Sequence, residues 1–181
     1  DGEHRTRIDR DPAADALRAS YPACTTPVHV MHAPVLLPHF DPAWPDARRR
    51  RAEAGGRPQL LFVGGDFPRK GGPALLDAWT SGGFASRASL DIVTDWPVPV
   101  PLPLGVRQHR GVAAHSAAWA DRWAGADAFV MPTTNEAFGL VYQEAAAASL
   151  PAIGTRHNAV PEIIDDEVTG LLVPPGDRDA L

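Results

Sequence analysis

Two glutamates, Glu136 and Glu144, stand with seven residues between them on either side of Gly139, in the stretch EAFGLVYQE. On one uninterrupted helix, at about 100° per residue, eight steps leave two side chains roughly 80° apart and more than two turns distant. They would not converge on one small group. A loop ending at Gly139 and a helix beginning there would instead set the two carboxylates at opposite ends of an extended ligand. The backbone N–H groups of Gly139, Leu140 and Val141 would lie between them, unpaired at a helix N-terminus, which is a ready anion site. Carboxylates accept hydrogen bonds from hydroxyls. Carboxylate, anion cradle, carboxylate therefore complements sugar, diphosphate, ribose in that order. Phe138 reads as a packing residue, with its N–H group beside the Glu136 end. A second set of groups lies in LLFVGGDFPRKGG (Leu60 to Gly72), where Arg69 and Lys70 follow the Gly64-Gly65 turn. A departing diphosphate needs its charge met by a metal or by fixed donors and cations, and this chain points to the second solution. Two acids also suit a glycosidase, with carboxyl groups about 5–10 Å apart around one bond. The anion-binding turn between them favours a nucleotide sugar.

These residues need elements to hold them. From Gln59 onward, apolar runs bounded by turn residues alternate with helical patterns. QLLFVG, SLDIVT, VRQHRG, DAFVMP, PAIGT and TGLLVP read as strands; GGPALLDAWTSGG, HSAAWADRWAGA, LVYQEAAAAS and VPEIIDD read as helices. Such alternation predicts an α/β fold with a doubly wound, Rossmann-like parallel sheet, in which ligands sit beyond the carboxyl ends of strands. Gly64 to Gly72 and Met131 to Val141 both fall there. Upstream, residues 1–57 read as an N-terminal extension and linker. They hold a short helix at Ala13–Ala19, a strand over VHVMHAPVLLP (Val28 to Pro38) and a basic helix in DPAWPDARRRRAEAGGRP. Residues 58–181 form the ligand-binding domain. WPVPVPLPLG, with alternating prolines, is an extended crossover loop.

The segment from Ala126 to Asp177 resembles the donor-binding core of retaining glycosyltransferases of the GT-B group, family 4 or group 1 type. The matching pieces are the two spaced glutamates, the ADAFVMPT and LPAIGT strands around them, the VPEII…TGLLVPPGD tail and, roughly sixty residues upstream, LLFVGGDFPRKGG. The resemblance implies one half of a GT-B architecture that transfers a sugar from a UDP-, GDP- or ADP-linked donor with retention, without cofactor or metal. By resemblance Lys70 binds phosphate with help from Arg69, Glu136 meets the sugar, Glu144 meets the ribose, and Val112 lies near the base. The Gly64-Gly65 turn and the N–H groups at Phe138 to Val141 complete the donor site. Acceptor recognition would belong to an N-terminal domain that this chain lacks, so the chain alone should turn over little. Two positions depart from the family. Gly65 stands where an arginine is common, and His157-Asn158-Ala159 stands where a glycine pair is common. A degenerate binding module, a phosphorylase and an epimerase remain alternative readings.

Bulk properties exclude several classes. With 17 Lys and Arg against 22 Asp and Glu, the net charge of -5 gives no support to nucleic-acid binding. The run Arg48 to Arg51 reads as a solvated helix face, without aromatic partners for base stacking. One cysteine excludes an intramolecular disulfide. The seven histidines show no metal spacing, and Asp165-Asp166-Glu167 reads as solvated surface. No apolar run approaches the length of a transmembrane helix. A cytoplasmic protein is expected, with peripheral membrane attachment left open for a longer chain. The end at Gly176 to Leu181 reads as a helix just starting behind an Asp N-cap, which suggests a truncated domain.

Overall fold

The computed structural model describes residues 12–31, 34–35 and 39–181. The chain divides into two compact units, Asp1–Pro34 and Val35–Leu181. In the first, helix α1 (Pro12–Ser20) forms where the sequence predicts one. The predicted strand does not form at residues 28–31 or 34–35; the rest of that prediction lies outside the described residues. Pro27 and Pro34 bracket the stretch and carry no N–H for a ladder.

The second unit begins with α2 (Trp44–Glu53) and continues as β1 (Gln59–Val63), α3 (Gly72–Ser81), β2 (Ser89–Val93) and β3 (Val106–His109). It then runs through α4 (Ala117–Gly125), β4 (Ala128–Val130), α5 (Leu140–Ala147), β5 (Ala152–Thr155), α6 (Val160–Ile163) and β6 (Gly170–Val173). The six strands form one sheet in the order β3-β2-β1-β4-β5-β6. Every pairing is parallel. Winding runs outward from β1 through β2 to β3, then restarts at β4 and runs the other way. The reversal lies between β1 and β4, so the loops after these two strands flank the crevice where such sheets bind ligands. Those loops carry Lys70 and Glu136. Among the described residues no helix is long and apolar enough to cross a membrane.

Large rings tie the helices to the sheet. Trp119 and Trp123, one turn apart on α4, meet edge to face at 5.5 Å. Trp123 lies 5.4 Å from Phe129 on β4, and Phe129 lies 5.5 Å from Tyr142 on α5. This ladder of buried rings runs from one helix through the strand to the next, a geometry that adds to plain area burial.

The arginine run departs from the prediction. Arg48 is buried, not solvated. Its guanidinium donates to the Trp123 carbonyl at 3.1 Å and the Ser149 carbonyl at 3.4 Å, at the C-terminal ends of α4 and α5. Burial lowers its pKa first, and the nearby Asp127 charge offsets that. Arg51 pairs with Asp127, which also accepts from the Gln59 N–H group at 2.8 Å. Orphan carbonyls at helix ends attract cations, so this face of α2 turns inward. The stretch expected as linker thereby belongs, from Val35, to the same compact unit as the sheet.

One close approach fixes the crevice. Gly71 has φ +81°, and a Cβ there would stand 1.9 Å from the Pro132 carbonyl oxygen. Gly71→Ala should cost more than about 2 kcal/mol, combining left-handed strain with displacement of a backbone. At Gly65 a Cβ meets nothing within 4 Å, and Gly65→Ala should stay within about 0.5 kcal/mol of wild type. Urea unfolding of both variants checks this; equal losses would refute the packing argument.

Candidate functional site

The loop after β1 folds back on itself before α3. Lys70 N donates to the Asp66 carbonyl at 3.0 Å, and Gly72 N to the Phe67 carbonyl at 2.9 Å. Phe67 is buried beneath this turn, edge to face with Phe62 at 5.4 Å. A Cβ at Gly72 would lie 2.2 Å from the Phe67 ring. The absence of a side chain at Gly72 therefore lets the ring seat the turn.

The loop after β4 is stitched to it. The Arg69 carbonyl accepts from Thr134 N at 3.2 Å and from the hydroxyls of Thr133 and Thr134 at 3.3 Å. The Arg69 guanidinium reaches back to the Asn135 carbonyl at 2.8 Å and to Asp66 at 3.1 Å. Lys70 and Glu136, from opposite loops, form an ion pair with side chains 14% and 9% exposed. The structure thus brings Lys70 and Glu136 together and commits Arg69 to tying the loops.

Helix α5 starts as the spacing predicts. Its N-cap is Gly139, at φ 88°, where a Cβ would lie 2.8 Å from the Tyr142 ring. Tyr142 N takes the Gly139 carbonyl at 2.9 Å; among the described residues no backbone oxygen accepts from the N–H groups of Gly139, Leu140 or Val141. The helix is pinned from behind by Tyr142, whose buried hydroxyl donates to the Met131 carbonyl at 2.5 Å. Burial first, and the Glu136 charge second, raise the Tyr142 pKa, so it stays a neutral donor. Thr155 holds the other side of the β4 loop through the Thr133 carbonyl at 2.6 Å.

A cavity of about 420 Å³ opens between these parts, lined by Gly64, Gly65, Lys70, Trp119, the loop from Glu136 to Gly139, and Leu140, Val141 and Glu144 of α5. Phe138 is half-buried on its wall. Gly64, Gly65 and Trp119 also border a smaller recess of about 140 Å³ that includes Thr94, Asp95, His109 and Val112. The predicted residues other than Arg69 therefore line one cleft with an adjoining recess. Glu144 lies on the second turn of α5, and burial raises its pKa to about 7.

Three features escaped sequence reading. Asn158 adopts φ 50°, the left-handed conformation a glycine would take, which asparagine tolerates better than most residues. Its side-chain amide donates to the Glu136 carbonyl at 2.9 Å, so the departure from the family's glycine pair still fits the turn and adds a brace behind Glu136. Asp95 accepts from Gly111 N at 2.6 Å and shapes the turn before Val112. Asp91, 1% exposed in β2, draws Arg107 Nε to 2.8 Å and His109 Nε2 to 3.2 Å. Burial works against its charge, but the hydrogen bond from Arg107 and the neighbouring His109 hold the carboxyl below its ordinary range. Its signal in the sequence was an acid within an otherwise apolar strand. Asp166, read as solvated, is half-buried; it pairs with Arg156 and accepts from Leu172 N at 2.8 Å. Among the described residues no group of three or more His, Cys, Asp or Glu side chains is arranged to hold a metal ion.

A doubly wound parallel sheet with an open helix N-terminus beside its switch point is the fold of the Rossmann-like half of a GT-B architecture. The chain belongs to the glycosyl transferases group 1, whose family model matches residues 57–181. It is 31% identical over 188 residues to D-inositol 3-phosphate glycosyltransferase of Actinosynnema mirum, covering 93% of this chain and 45% of that protein. It is 33% identical over 159 residues to the GDP-mannose-dependent alpha-(1-6)-phosphatidylinositol monomannoside mannosyltransferase of Mycolicibacterium smegmatis, covering 76% and 41%. Among solved structures, sucrose-phosphate synthase from Thermosynechococcus elongatus superposes with a TM-score of 0.72 at 25% identity, over 94% of this chain and 45% of that one. The chain thus spans less than half the length of these relatives and fits their C-terminal domain.

The half-buried Glu144 gives a pH signature. Its folded-state pKa of about 7 lies above the ordinary glutamate value of 4.5, so the folded chain binds more protons than the unfolded chain between those values. Its contribution to stability is full below about pH 4.5 and is lost as pH rises through about 7. Glu144→Gln should flatten that part of the stability profile. Urea midpoints from pH 4.5 to 8 check this; a variant profile parallel to wild type would refute it.

Proposed function

We propose that this chain is the donor-binding domain of a retaining glycosyltransferase that uses a nucleotide diphosphate sugar. The observation that carries the reading is the single cleft joining Lys70, the open N–H groups at Gly139 to Val141, Glu136 and Glu144. The diphosphate sits on the N-terminus of α5, where backbone donors and the helix dipole favour negative charge. Lys70 adds a full positive charge as the leaving group departs. Arg69 acts by holding the two loops together and contributes at longer range. Glu136 accepts from sugar hydroxyls and Glu144 from the ribose diol. The base enters the recess beside Val112. The reaction draws on these fixed charges and calls for no divalent metal. A relative named as GDP-mannose-dependent supports a nucleotide-sugar donor, while the base here stays among uridine, guanosine and adenosine. The acceptor, a sugar or a lipid, is met by a further domain, and transfer by this chain alone is slow.

Calorimetric titration with UDP, GDP and ADP in metal-free buffer tests the reading. One nucleotide should bind, and Lys70→Ala and Glu144→Ala should each weaken it at least tenfold, the order of a lost charged contact. Because Glu144 accepts hydroxyls best when ionised, affinity should rise more steeply from pH 6 to pH 8 in wild type than in Glu144→Gln, the remaining slope being that of the nucleotide's own terminal phosphate. No binding by any of the three nucleotides would overturn this reading.

A further inference from the structure

We propose that Glu136 makes the cleft discriminate a glycosylated nucleotide diphosphate from the bare one, by competing with the diphosphate for Lys70. The inference rests on the donor-site reading above and adds a specificity mechanism to it. Lys70 Nζ is held by the Glu136 carboxylate, and both side chains are nearly buried. Lys70 is the sole cationic side chain among the described residues lining this cavity. Arg69 is no substitute, since its guanidinium is bound to Asp66 and the Asn135 carbonyl. One cation therefore faces two claims.

The carboxylate has little freedom to withdraw. Asn158 fixes the Glu136 carbonyl at 2.9 Å, and the Glu136 side chain lies beneath Gly139, where a Cβ would come within 3.4 Å of its Cγ. A diphosphate seated at the α5 N-terminus draws Lys70 toward itself and leaves Glu136 buried without its partner. Truncating or removing one member of a buried pair is costly because the other charge stays desolvated. A bare nucleotide bears that cost in full. A glycosyl group whose hydroxyls donate to Glu136 removes it, since a carboxylate accepts several hydrogen bonds. The sugar is thus recognised through relief of a penalty that the diphosphate creates. After transfer, the bare nucleotide meets the penalty again and is released.

The test is a double-mutant cycle on this chain, with UDP against UDP-glucose, GDP against GDP-mannose and ADP against ADP-glucose as probes, read by calorimetry. Wild type should bind the glycosylated member of the responding pair more tightly. Glu136→Gln should bind the bare diphosphate about tenfold tighter, within the range of charged-pair effects, and lose the preference for the sugar-bearing form. In a Lys70→Ala background the same Glu136→Gln change should bring no gain. Unchanged preference in Glu136→Gln would overturn the inference and leave the donor site standing. Equal tightening with and without Lys70 would also overturn it, because plain repulsion of phosphate by Glu136 would then suffice. Failure of wild type to bind any of the six probes would overturn the donor-site reading, and the inference with it. Melting curves of each variant confirm that the compared proteins are folded.

Discussion

The cleft depends on one contact between backbones. At Gly71 the turn before α3 comes so close to the Pro132 carbonyl that no side chain fits between them. The Arg69 carbonyl then gathers three donors from Thr133 and Thr134. Adjacent parallel strands lie about 4.8 Å apart, and β1 and β4 are such neighbours. The strand spacing alone would leave two independent loops, each free to move. The stitching makes them one surface, and only then do Lys70 and Glu136, 66 positions apart in sequence, share a charge contact. The topology supplies the place, since a switch point leaves a gap between the helices that cover the two sheet faces. The glycine supplies the distance.

Helix α5 is anchored to that surface at its front and braced at its back. Tyr142 ties the first turn to the end of β4 through the Met131 carbonyl. At the far end, the buried Arg48 meets the Ser149 carbonyl just beyond the last turn. A helix of this length, Leu140–Ala147, has a modest dipole with partial charges concentrated at its two ends. One end faces the cleft as a set of open N–H groups, and the other meets a guanidinium. The C-terminal end is thus met by a cation, as its partial charge demands, while the N-terminal end presents its donors to the cleft.

Much of this was legible in the sequence. The alternation of apolar runs and helical patterns gave the six parallel strands and the helices between them, because that periodicity follows directly from two-sided burial. The glycine at 139 and the spaced glutamates located the helix start. What stayed hidden depended on tertiary partners. Arg48 looked like a solvated cation among four, and nothing local distinguishes the member that points at two helix ends from its neighbours. Arg69 was expected to help Lys70 at the phosphate, yet Asp66 and the Asn135 carbonyl claim its guanidinium. Asn158 looked like a departure from the family pattern, whereas its left-handed backbone satisfies the turn's requirement by another residue type. The strand expected near Val28 is absent where described because an alternating pattern states only what a pleated segment would bury. It does not supply a partner.

The acids in the cleft outnumber its cations, an arrangement that opposes the proposed diphosphate if all are charged. Glu136 and Glu144 both line the cavity, against Lys70 alone. The resolution lies in how each acid is held. Partial burial raises the Glu144 pKa to about 7, so near neutrality its negative charge is weakened. Glu136 is neutralised in place by Lys70. The net field at the α5 N-terminus is then set mainly by the open amides, a neutral array whose positive ends converge on one spot. Such donors need no reorganisation when charge arrives. A site assembled this way resists binding stray anions through loose cations, because its one lysine is already engaged. On the proposed reading, its ligand brings hydroxyls for the carboxylates along with charge for the amides, as a nucleotide sugar does on one molecule.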